Sequence, residues 1–183
     1  MLIIPQLRPF LHHSPSTFLN MSNSPDSFTG DWITPDHPDY PKAIARWAGN
    51  AERRAKVVAY VKNAQDVVVV LKYAKQQNLP LTVRGGGHSP AGASSIENGI
   101  VIDLSRHLSS ARVDPTAKLA YVGGGAIWES VDKAAIEHGL ATVAGTVNHV
   151  SNPDHHNEAW FVTDAIPCMK TGVGGYVPSS HCP

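Results

Sequence analysis

A mixed α+β fold, with two successive groups of strands and helices, is predicted by three features of the sequence. Within residues 56–83, one segment with helical periodicity lies between two apolar runs of strand length. Residues 99–145 alternate strand and helix patterns a second time. The length of 183 residues is sufficient for one domain with a sizeable core.

The first group is a predicted strand–helix–strand unit. KVVAYV, residues 56–61, is a β-branched run of strand length, and LPLTV, residues 79–83, is the second strand. Between them Asn63 is suited to be a helix N-cap, with Asp66 at the capping-box position three residues later. The residues expected on the buried side of this helix are Val67, Leu71 and Ala74. A right-handed crossover and a parallel pair of strands are expected for such a unit.

The second group consists of three predicted strands and one helix. The strands are GIVIDLS at 99–105, LAYVGGG at 119–125 and LATVAG at 140–145. The helix is IWESVDKAAIEHG at 127–139, and Gly139 is predicted to end it at the C′ position. The residues expected to face inward are Ile127, Val131, Ala134 and Ala135.

Composition divides the chain into three parts. Residues 1–39 are rich in Pro, Ser, Asn and Asp and are predicted to be an irregular extension. Residues 40–150 hold the periodic patterns and are predicted to form the domain. Residues 151–183 have no sustained period, so irregular structure is predicted there.

Charge and hydropathy disfavour several kinds of partner. Lys and Arg number 15, as do Asp and Glu, so the formal net charge is zero and nucleic acid is not an expected partner. No apolar run approaches the roughly 20 residues of a membrane span, and no membrane partner is expected. Pro5, Pro9 and Pro15 interrupt the N-terminal residues, so no signal peptide is expected and the cytoplasm is the default for an unknown compartment.

The segment TVRGGGHSPAGASS, residues 82–95, carries the strongest chemical signal. Consecutive glycines after a strand leave backbone N–H groups accessible to a phosphate, and Arg84 adds a fork of donors. The segment lacks the Gly-Lys-Ser/Thr of a P-loop, and Pro90 does not open a helix as a Rossmann loop requires. The residues alone favour a phosphate-bearing ligand, with a surface turn and a solvent-exposed His88 as the alternative.

Taken in order, four segments resemble one family over about residues 40–150: LPLTVRGGGHSPAGASS, GIVIDLS, AYVGGGAIWESVDKAAIEHGL and ATVAGTVNHV. They are similar to the FAD-binding domain of the FAD-linked oxidases, of the vanillyl-alcohol oxidase and p-cresol methylhydroxylase (PCMH) type. The berberine-bridge-enzyme-like branch is the closer match. The resemblance implies an α+β, PCMH-type FAD-binding domain of two α/β subdomains, incomplete in this sequence, with FAD lying between them.

The resemblance also implies which residues contact FAD. In this branch the histidine of the G-G-H motif is linked to the flavin 8α-methyl group; here it is His88, with an unlinked, hydrogen-bonding histidine as the alternative. Bicovalent members carry a cysteine at the position of Val147, so a single link is expected. His149 is interpreted as a surface residue. The residues implied to bind the cofactor are Val83, Arg84, Gly85, Gly86, Gly87, His88, Ser89, Gly92, Ala93, Ser94, Gly145, Thr146 and Asn148.

A foreign segment interrupts the resemblance after Val150. In the family a G-V-G-G stretch follows directly, whereas here TGVGG appears only at 171–175. We interpret residues 151–170 as an intron read through, followed by a shifted frame. DHHNE at 154–158 matches no zinc signature, so no metal site is expected.

The activity that the resemblance implies is that of an FAD-dependent oxidase. Such an enzyme passes a hydride from a substrate C–H bond to flavin N5 and then passes electrons to O₂, while the protein binds and orients the cofactor. The substrate is a small molecule of unknown class. No catalytic base is assigned, because the family's substrate domain has no counterpart in this sequence. The alternatives are a truncated, catalytically inert product that binds FAD weakly or not at all, and a stand-alone nucleotide-binding module.

Overall fold

The computed structural model of the protein describes residues 24–142 and 147–150, and the backbone alone over 159–164. In this part of the chain the strands form two four-stranded sheets, and helices pack against both. The mixed architecture that the sequence predicts is confirmed.

Sheet 1 contains β1 (Asp31–Ile33), β2 (Val57–Tyr60), β3 (Leu81–Arg84) and β4 (Ile100–Asp103) in the order β1-β2-β4-β3. Strands β2, β4 and β3 are mutually parallel, and β1 pairs with β2 antiparallel. The strands of the predicted strand–helix–strand unit are therefore parallel but not neighbours. Strand β4 lies between them because its apolar run is buried on both faces, as a central strand of a parallel sheet requires.

Helix α2 (Ala64–Gln76) begins where the sequence predicts. Asn63 is the N-cap, and its side-chain oxygen accepts a hydrogen bond from the Asp66 amide at 2.9 Å. The buried residues are Asp66, Val69, Val70 and Ala74, and Val67 is half-buried. The prediction that Leu71 faces inward is wrong, since its side chain is 44% exposed. Within a run of valines the apolar pattern does not fix the buried stripe, and position 71 is rotated by about 100° from position 70.

The buried carboxylate of Asp66 ties the segment before β1 to the start of α2. It accepts hydrogen bonds from the Thr29 amide at 2.9 Å, the Thr29 hydroxyl at 3.0 Å and the Lys62 amide at 2.9 Å. Burial raises the pKa of Asp66, but these hydrogen bonds outweigh it, and the pKa lies below its ordinary value. The side chain thus binds Thr29 and Lys62 rather than the Asn63 amide that a full capping box would use.

Apolar residues cover both faces of sheet 1, so β2 and β4 are buried along their whole length. Those on the face of α2 are Phe28, Val57, Ala59, Val61, Val69, Val70, Ala74, Ile100 and Ile102. Those on the face of α1 (Tyr40–Ile44) are Ile33, Tyr40, Ala43, Ile44, Ala55, Val58, Tyr60 and Val101. Ligands of such sheets bind at the carboxyl ends of the strands, which is where β3 enters the glycine segment.

Sheet 2 contains β5 (Ala111–Asp114), β6 (Leu119–Val122), β7 (Leu140–Thr142) and β8 (Ala159–Asp164) in the order β5-β6-β8-β7. All of its neighbouring strands are antiparallel. Helix α3 (Trp128–Ile136) packs on this sheet through its buried residues, which are Trp128, Val131 and Ala135.

Three strands lie where the sequence predicts none. Strand β1 falls in the predicted irregular extension, β8 in the predicted irregular tail, and β5 between two predicted strands. Of the four residues of β5 only Val113 is buried, so the sequence of this strand has no alternation of apolar and polar residues that would predict it. Gly139 has φ +67°, the left-handed conformation predicted for it, but it stands two residues after the C-cap Glu137 instead of one.

Two further observations concern only the residues that the structure describes. None of their helices combines the length and the apolar character needed to cross a membrane. They hold no group of three or more His, Cys, Asp or Glu side chains arranged to bind a metal ion. The DHHNE segment at 154–158 lies outside the described residues.

Candidate functional site

The glycine segment leaves β3 as a closed loop over residues 85–95, called the glycine loop below. Gly87 and Gly92 have φ values of +75° and +81°, a left-handed conformation that other L-residues rarely adopt. The Gly92 amide donates to the Ser89 carbonyl at 3.2 Å, and the Thr82 hydroxyl donates to the Ala93 carbonyl. The second bond holds the far end of the loop against strand β3, so the loop is anchored to the sheet at both ends.

The backbone N–H groups in the first half of the loop are unpaired. Within the described part of the chain, the N–H groups of residues 85–89 donate no hydrogen bond to the protein. Gly87 is buried and the other four are half-buried. Successive free N–H groups beside a left-handed residue are the elements of an anion-binding nest.

Four buried side-chain atoms on the same short segment also have no hydrogen-bond partner among the residues that the structure describes. They are Arg84 Nε, His88 Nδ1, Ser94 Oγ and Ser95 Oγ. Leaving a buried polar atom unpaired destabilises a protein by about 1–3 kcal/mol. Such atoms are few in native structures, so their concentration here indicates a site that a polar ligand completes.

Two arginine side chains pack against the loop. Arg84 Nη1 donates to Asp103 Oδ2 at 3.0 Å and to the Ala43 carbonyl at 3.1 Å, and the Asp103 side chain is fully buried. Arg46 Nη2 donates to the Ser94 carbonyl at 2.7 Å. Burial, followed by the charge of Arg84, lowers the pKa of Arg46 to about 10. The Arg46 guanidinium is therefore a cation at neutral pH. Two arginines and one carboxylate leave this group with a net positive charge.

A second segment, residues 147–150, brings another histidine to the loop. The rings of His88 and His149 have centroids 5.4 Å apart. The segment is held at the start of α3, where the Glu129 amide donates to the Asn148 carbonyl at 2.7 Å. Burial, then the neighbouring His149 and Arg84, lower the pKa of His88, so its imidazole is neutral at pH 7. His149 is exposed, as the sequence suggests, but it also contacts His88.

The predicted site residues divide by location. Those on the end of β3 and the glycine loop are Val83, Arg84, Gly85, Gly86, Gly87, His88, Ser89, Gly92, Ala93 and Ser94. Val83 is 51% exposed, whereas Ser94 is buried. Asn148 is exposed and lies next to His149 on the second segment. Gly145 and Thr146 lie outside the described residues.

Sequence reasoning missed Arg46, Asp103 and Ser95. Asp103 ends the buried strand IVID, and a charged residue at the carboxyl end of a parallel strand is a signal that could have found it. Ser95 directly follows the predicted Ser94 and shares its lack of a partner. Arg46 has no such signal, because only the folded chain brings it to Ser94.

The end of the parallel strand β3 thus combines free backbone N–H groups, unpaired side-chain donors and a net positive charge. Together they define a site for a phosphate-bearing cofactor. The family comparison agrees with this class. The family model described as an FAD binding domain matches residues 55–151, and the chain belongs to this PCMH-type FAD-binding domain family.

Its relatives are FAD-linked oxidoreductases. The uncharacterized FAD-linked oxidoreductase YgaK of Bacillus subtilis (strain 168) is 36% identical over 122 residues, which is 67% of this chain and 27% of that protein. (R)-6-hydroxynicotine oxidase of Paenarthrobacter nicotinovorans is 35% identical over 122 residues, 67% of this chain and 26% of that protein. The chain therefore spans about a quarter of the length of these relatives.

Solved structures show the same fold. The crystal structure of 6-hydroxy-D-nicotine oxidase from Arthrobacter nicotinovorans superposes with a TM-score of 0.67 at 34% identity, covering 70% of this chain and 28% of that one. The berberine-bridge-enzyme-like protein 1 of Physcomitrella patens gives a TM-score of 0.61 at 22% identity, covering 67% of this chain and 27% of that one. The second likeness is evidence for the fold alone.

Proposed function

We propose that this chain forms the FAD-binding part of an FAD-dependent oxidase and binds the FAD diphosphate on the glycine loop. The observation that carries the proposal is a set of donors with no partner among the described residues: the N–H groups of residues 85–89, Arg84 Nε and the hydroxyls of Ser94 and Ser95. A diphosphate has acceptor oxygens and negative charge, and these residues present donors and the net positive charge of the Arg46–Arg84–Asp103 group. The residues present thus fit the cofactor that the family implies.

Each part of the site has a proposed task. The free N–H groups of residues 85–89 bind phosphate oxygens, with Val83 and Arg84 beside them at the end of β3. The segment of Gly92, Ala93 and Ser94 continues the site with the Ser94 hydroxyl. The remaining proposed contacts are Gly145, Thr146 and Asn148. Bound FAD supplies the capacity to accept a hydride at N5 and to release electrons to an acceptor.

A single covalent bond between His88 and the flavin is the second part of the proposal. His88 has an unpaired Nδ1 and is neutral at pH 7, so a nitrogen lone pair is available for bond formation. His88 would lose its N–H hydrogen and form a C–N bond to the 8α carbon, which loses one hydrogen of its own. The two hydrogens would leave as two protons and two electrons, which O₂ would accept to form H₂O₂, so atoms and electrons balance.

The activity proposed for the whole protein is oxidation of a small molecule by hydride transfer from a C–H bond, with O₂ as the electron acceptor. The names of the relatives, which include an oxidase, support this reaction class. The chain spans about a quarter of their length, and no catalytic base is assigned among its residues. Nucleic acid is not proposed as a partner because the formal net charge is zero, and a membrane is not proposed because no apolar run of the sequence is long enough to span one.

The test is reconstitution of the purified 183-residue chain with FAD, followed by a visible spectrum before and after acid precipitation. We expect flavin absorbance in the wild-type pellet and none in the pellet of His88→Ala. The matched control is His138→Ala, because His138 is exposed at the end of α3, away from the loop.

The three outcomes separate the parts of the proposal. Flavin in the pellet of wild type and His138→Ala supports both the site and the covalent bond. Flavin that moves to the supernatant contradicts the bond and leaves the site in place. A colourless folded protein contradicts FAD binding and favours the inert alternative.

A further inference from the structure

We propose that Arg46, which is remote from the loop in sequence, is the positioning residue that holds the glycine loop in its phosphate-binding shape. The proposal rests on the FAD-binding function above and adds a residue to it. Three observations carry it: the acceptors of the Arg46 guanidinium, its contact with Gly87, and the charge that it leaves unneutralised.

The Arg46 guanidinium connects helix α1 to the far end of the loop. Its Nη1 donates to three carbonyls at the end of α1, those of Ala43 at 3.2 Å, Ile44 at 2.9 Å and Ala45 at 2.9 Å. Its Nε and Nη2 donate to the Ser94 carbonyl at 3.2 and 2.7 Å. One planar group thus fixes Ser94 relative to a helix that packs on sheet 1, and a lysine has neither the shape nor the number of donors to do the same.

The same side chain also contacts the middle of the loop. A β-carbon on Gly87 would lie 3.2 Å from Arg46 Cδ and 2.9 Å from Arg84 Nε, so the loop backbone rests directly on both arginines. The amide of the next residue, Trp47, donates to the Gly87 carbonyl at 3.4 Å. Residues 46 and 47 therefore hold the loop at two points, its left-handed turn and its end.

The charge of Arg46 is not neutralised by its hydrogen bonds. All of its acceptors are carbonyl oxygens, whereas the neighbouring Arg84 is paired with Asp103. The second oxygen of Asp103 accepts hydrogen bonds from the amide and hydroxyl of Ser105. The positive charge left beside the loop favours a bound polyanion.

The test compares wild type with Arg46→Gln, which removes the charge, and Arg46→Lys, which keeps it. The matched control is Arg112→Gln, because Arg112 is an exposed arginine on β5 of sheet 2, where its guanidinium lies 4.2 Å from the centroid of the Tyr121 ring. All variants are studied at a temperature at which circular dichroism shows them folded.

The first readout needs no ligand. Hydrogen exchange of the Gly92, Ala93 and Ser95 amides, which donate hydrogen bonds within the loop, is measured by NMR. It is expected to be at least about tenfold faster in both Arg46 variants, because the hydrogen bonds from the Arg46 guanidinium that hold the Ser94 carbonyl are lost or weakened. Exchange in α2 is expected to stay as in wild type. Loop exchange that is unchanged in both variants overturns the proposal.

The second readout is affinity for ADP, a diphosphate without a flavin, measured by calorimetry at low and high salt. Arg46→Gln is expected to bind at least about tenfold more weakly and with a shallower salt dependence. Arg46→Lys is expected to bind weakly with the wild-type salt dependence. Affinities within twofold of wild type overturn the positioning role. A wild type that binds neither ADP nor FAD contradicts the proposed function instead, and the exchange result then still decides what Arg46 does to the loop.

Discussion

Replacing Gly87 by alanine tests whether the glycine loop needs a residue without a side chain at its buried turn. Two separate effects oppose the substitution. The φ of +75° is strained for an L-residue by about 1–2 kcal/mol. A β-carbon would also lie 2.9 Å from Arg84 Nε, a contact that real side chains essentially never make. Arg84 cannot move away freely, because it is paired with the buried Asp103.

Two other glycines separate these effects. Gly139 has φ +67° and no atom within 4 Å of an added β-carbon, so Gly139→Ala measures the backbone strain alone. Gly49 has neither a left-handed φ nor a neighbour within 4 Å, so Gly49→Ala is expected to stabilise the fold by about 0.4–1 kcal/mol through the unfolded chain. After that gain is subtracted, we expect Gly139→Ala to destabilise by about 1 kcal/mol. Overpacking raises the expected loss in Gly87→Ala to about 2–4 kcal/mol.

Urea unfolding followed by circular dichroism gives the free energy of unfolding of each variant. The expected order of stability is Gly49→Ala, wild type, Gly139→Ala, then Gly87→Ala. In FAD titrations only Gly87→Ala is expected to lose affinity, because only that residue lies in the loop. The reasoning fails if Gly87→Ala is as stable as Gly139→Ala, since the contact with the arginines would then have no energetic consequence.

Three further predictions concern buried or titrating groups. Asp66→Ala is expected to destabilise by about 2–4 kcal/mol, against under about 1 kcal/mol for the control Asp36→Ala, whose side chain is exposed, in urea unfolding. Because the pKa of Asp66 is lowered in the fold, the ionised carboxylate stabilises the protein above about pH 4, and this stabilisation is lost as pH falls through the folded pKa. Wild-type unfolding midpoints that do not change with pH below about pH 4 would contradict this. Asp103→Asn leaves the half-buried Arg84 guanidinium without a carboxylate partner and is expected to destabilise by about 3–5 kcal/mol in the same assay. A loss under about 1 kcal/mol would show that the pair is not isolated from water. The pKa of His88 is lowered in the fold by burial and then by His149. Because the His88 imidazole binds a proton more tightly in the unfolded chain, its contribution to the free energy of unfolding increases as pH rises towards the unfolded pKa of about 6.5. His149→Ala should raise the pKa of His88 in the fold, as read from histidine NMR shifts, and no change would show that the ring contact is absent in solution.

The sequence predicts the elements of the fold better than their arrangement. The cap at Asn63 and the left-handed Gly139 are local signals, because each depends on residues within one turn. The insertion of β4 between β2 and β3 depends on which strand can be buried on both faces, and this involves contacts across the whole sheet. The prediction for Leu71 on α2 is wrong for the same reason, since only the opposing sheet selects among consecutive valines.

In the candidate site, too, the sequence predicts the local features and misses those that depend on the folded chain. The glycines, Arg84 and His88 are contiguous in sequence, and their pattern by itself predicts a phosphate-binding loop. Arg46 and Asp103 reach the loop only through folding of sheet 1 and α1. Sequence alone therefore indicates which segment binds, while the residues that give the segment its shape and charge are visible only in the folded chain.

The hydrogen bonds of the glycine loop explain how it can be both ordered and able to bind an anion. The hydrogen bonds that the rest of the described chain makes to the loop go to its carbonyl groups: the Trp47 amide bonds Gly87, the Thr82 hydroxyl bonds Ala93, and Arg46 bonds Ser94. The N–H groups of residues 85–89 are left without protein partners in the described part of the chain. A loop ordered through its N–H groups would be equally rigid but would present carbonyl oxygens, which repel phosphate. Because the rest of the protein bonds carbonyl groups of the loop and leaves the N–H groups of residues 85–89 free, this half of the loop is complementary to an anion before any ligand arrives.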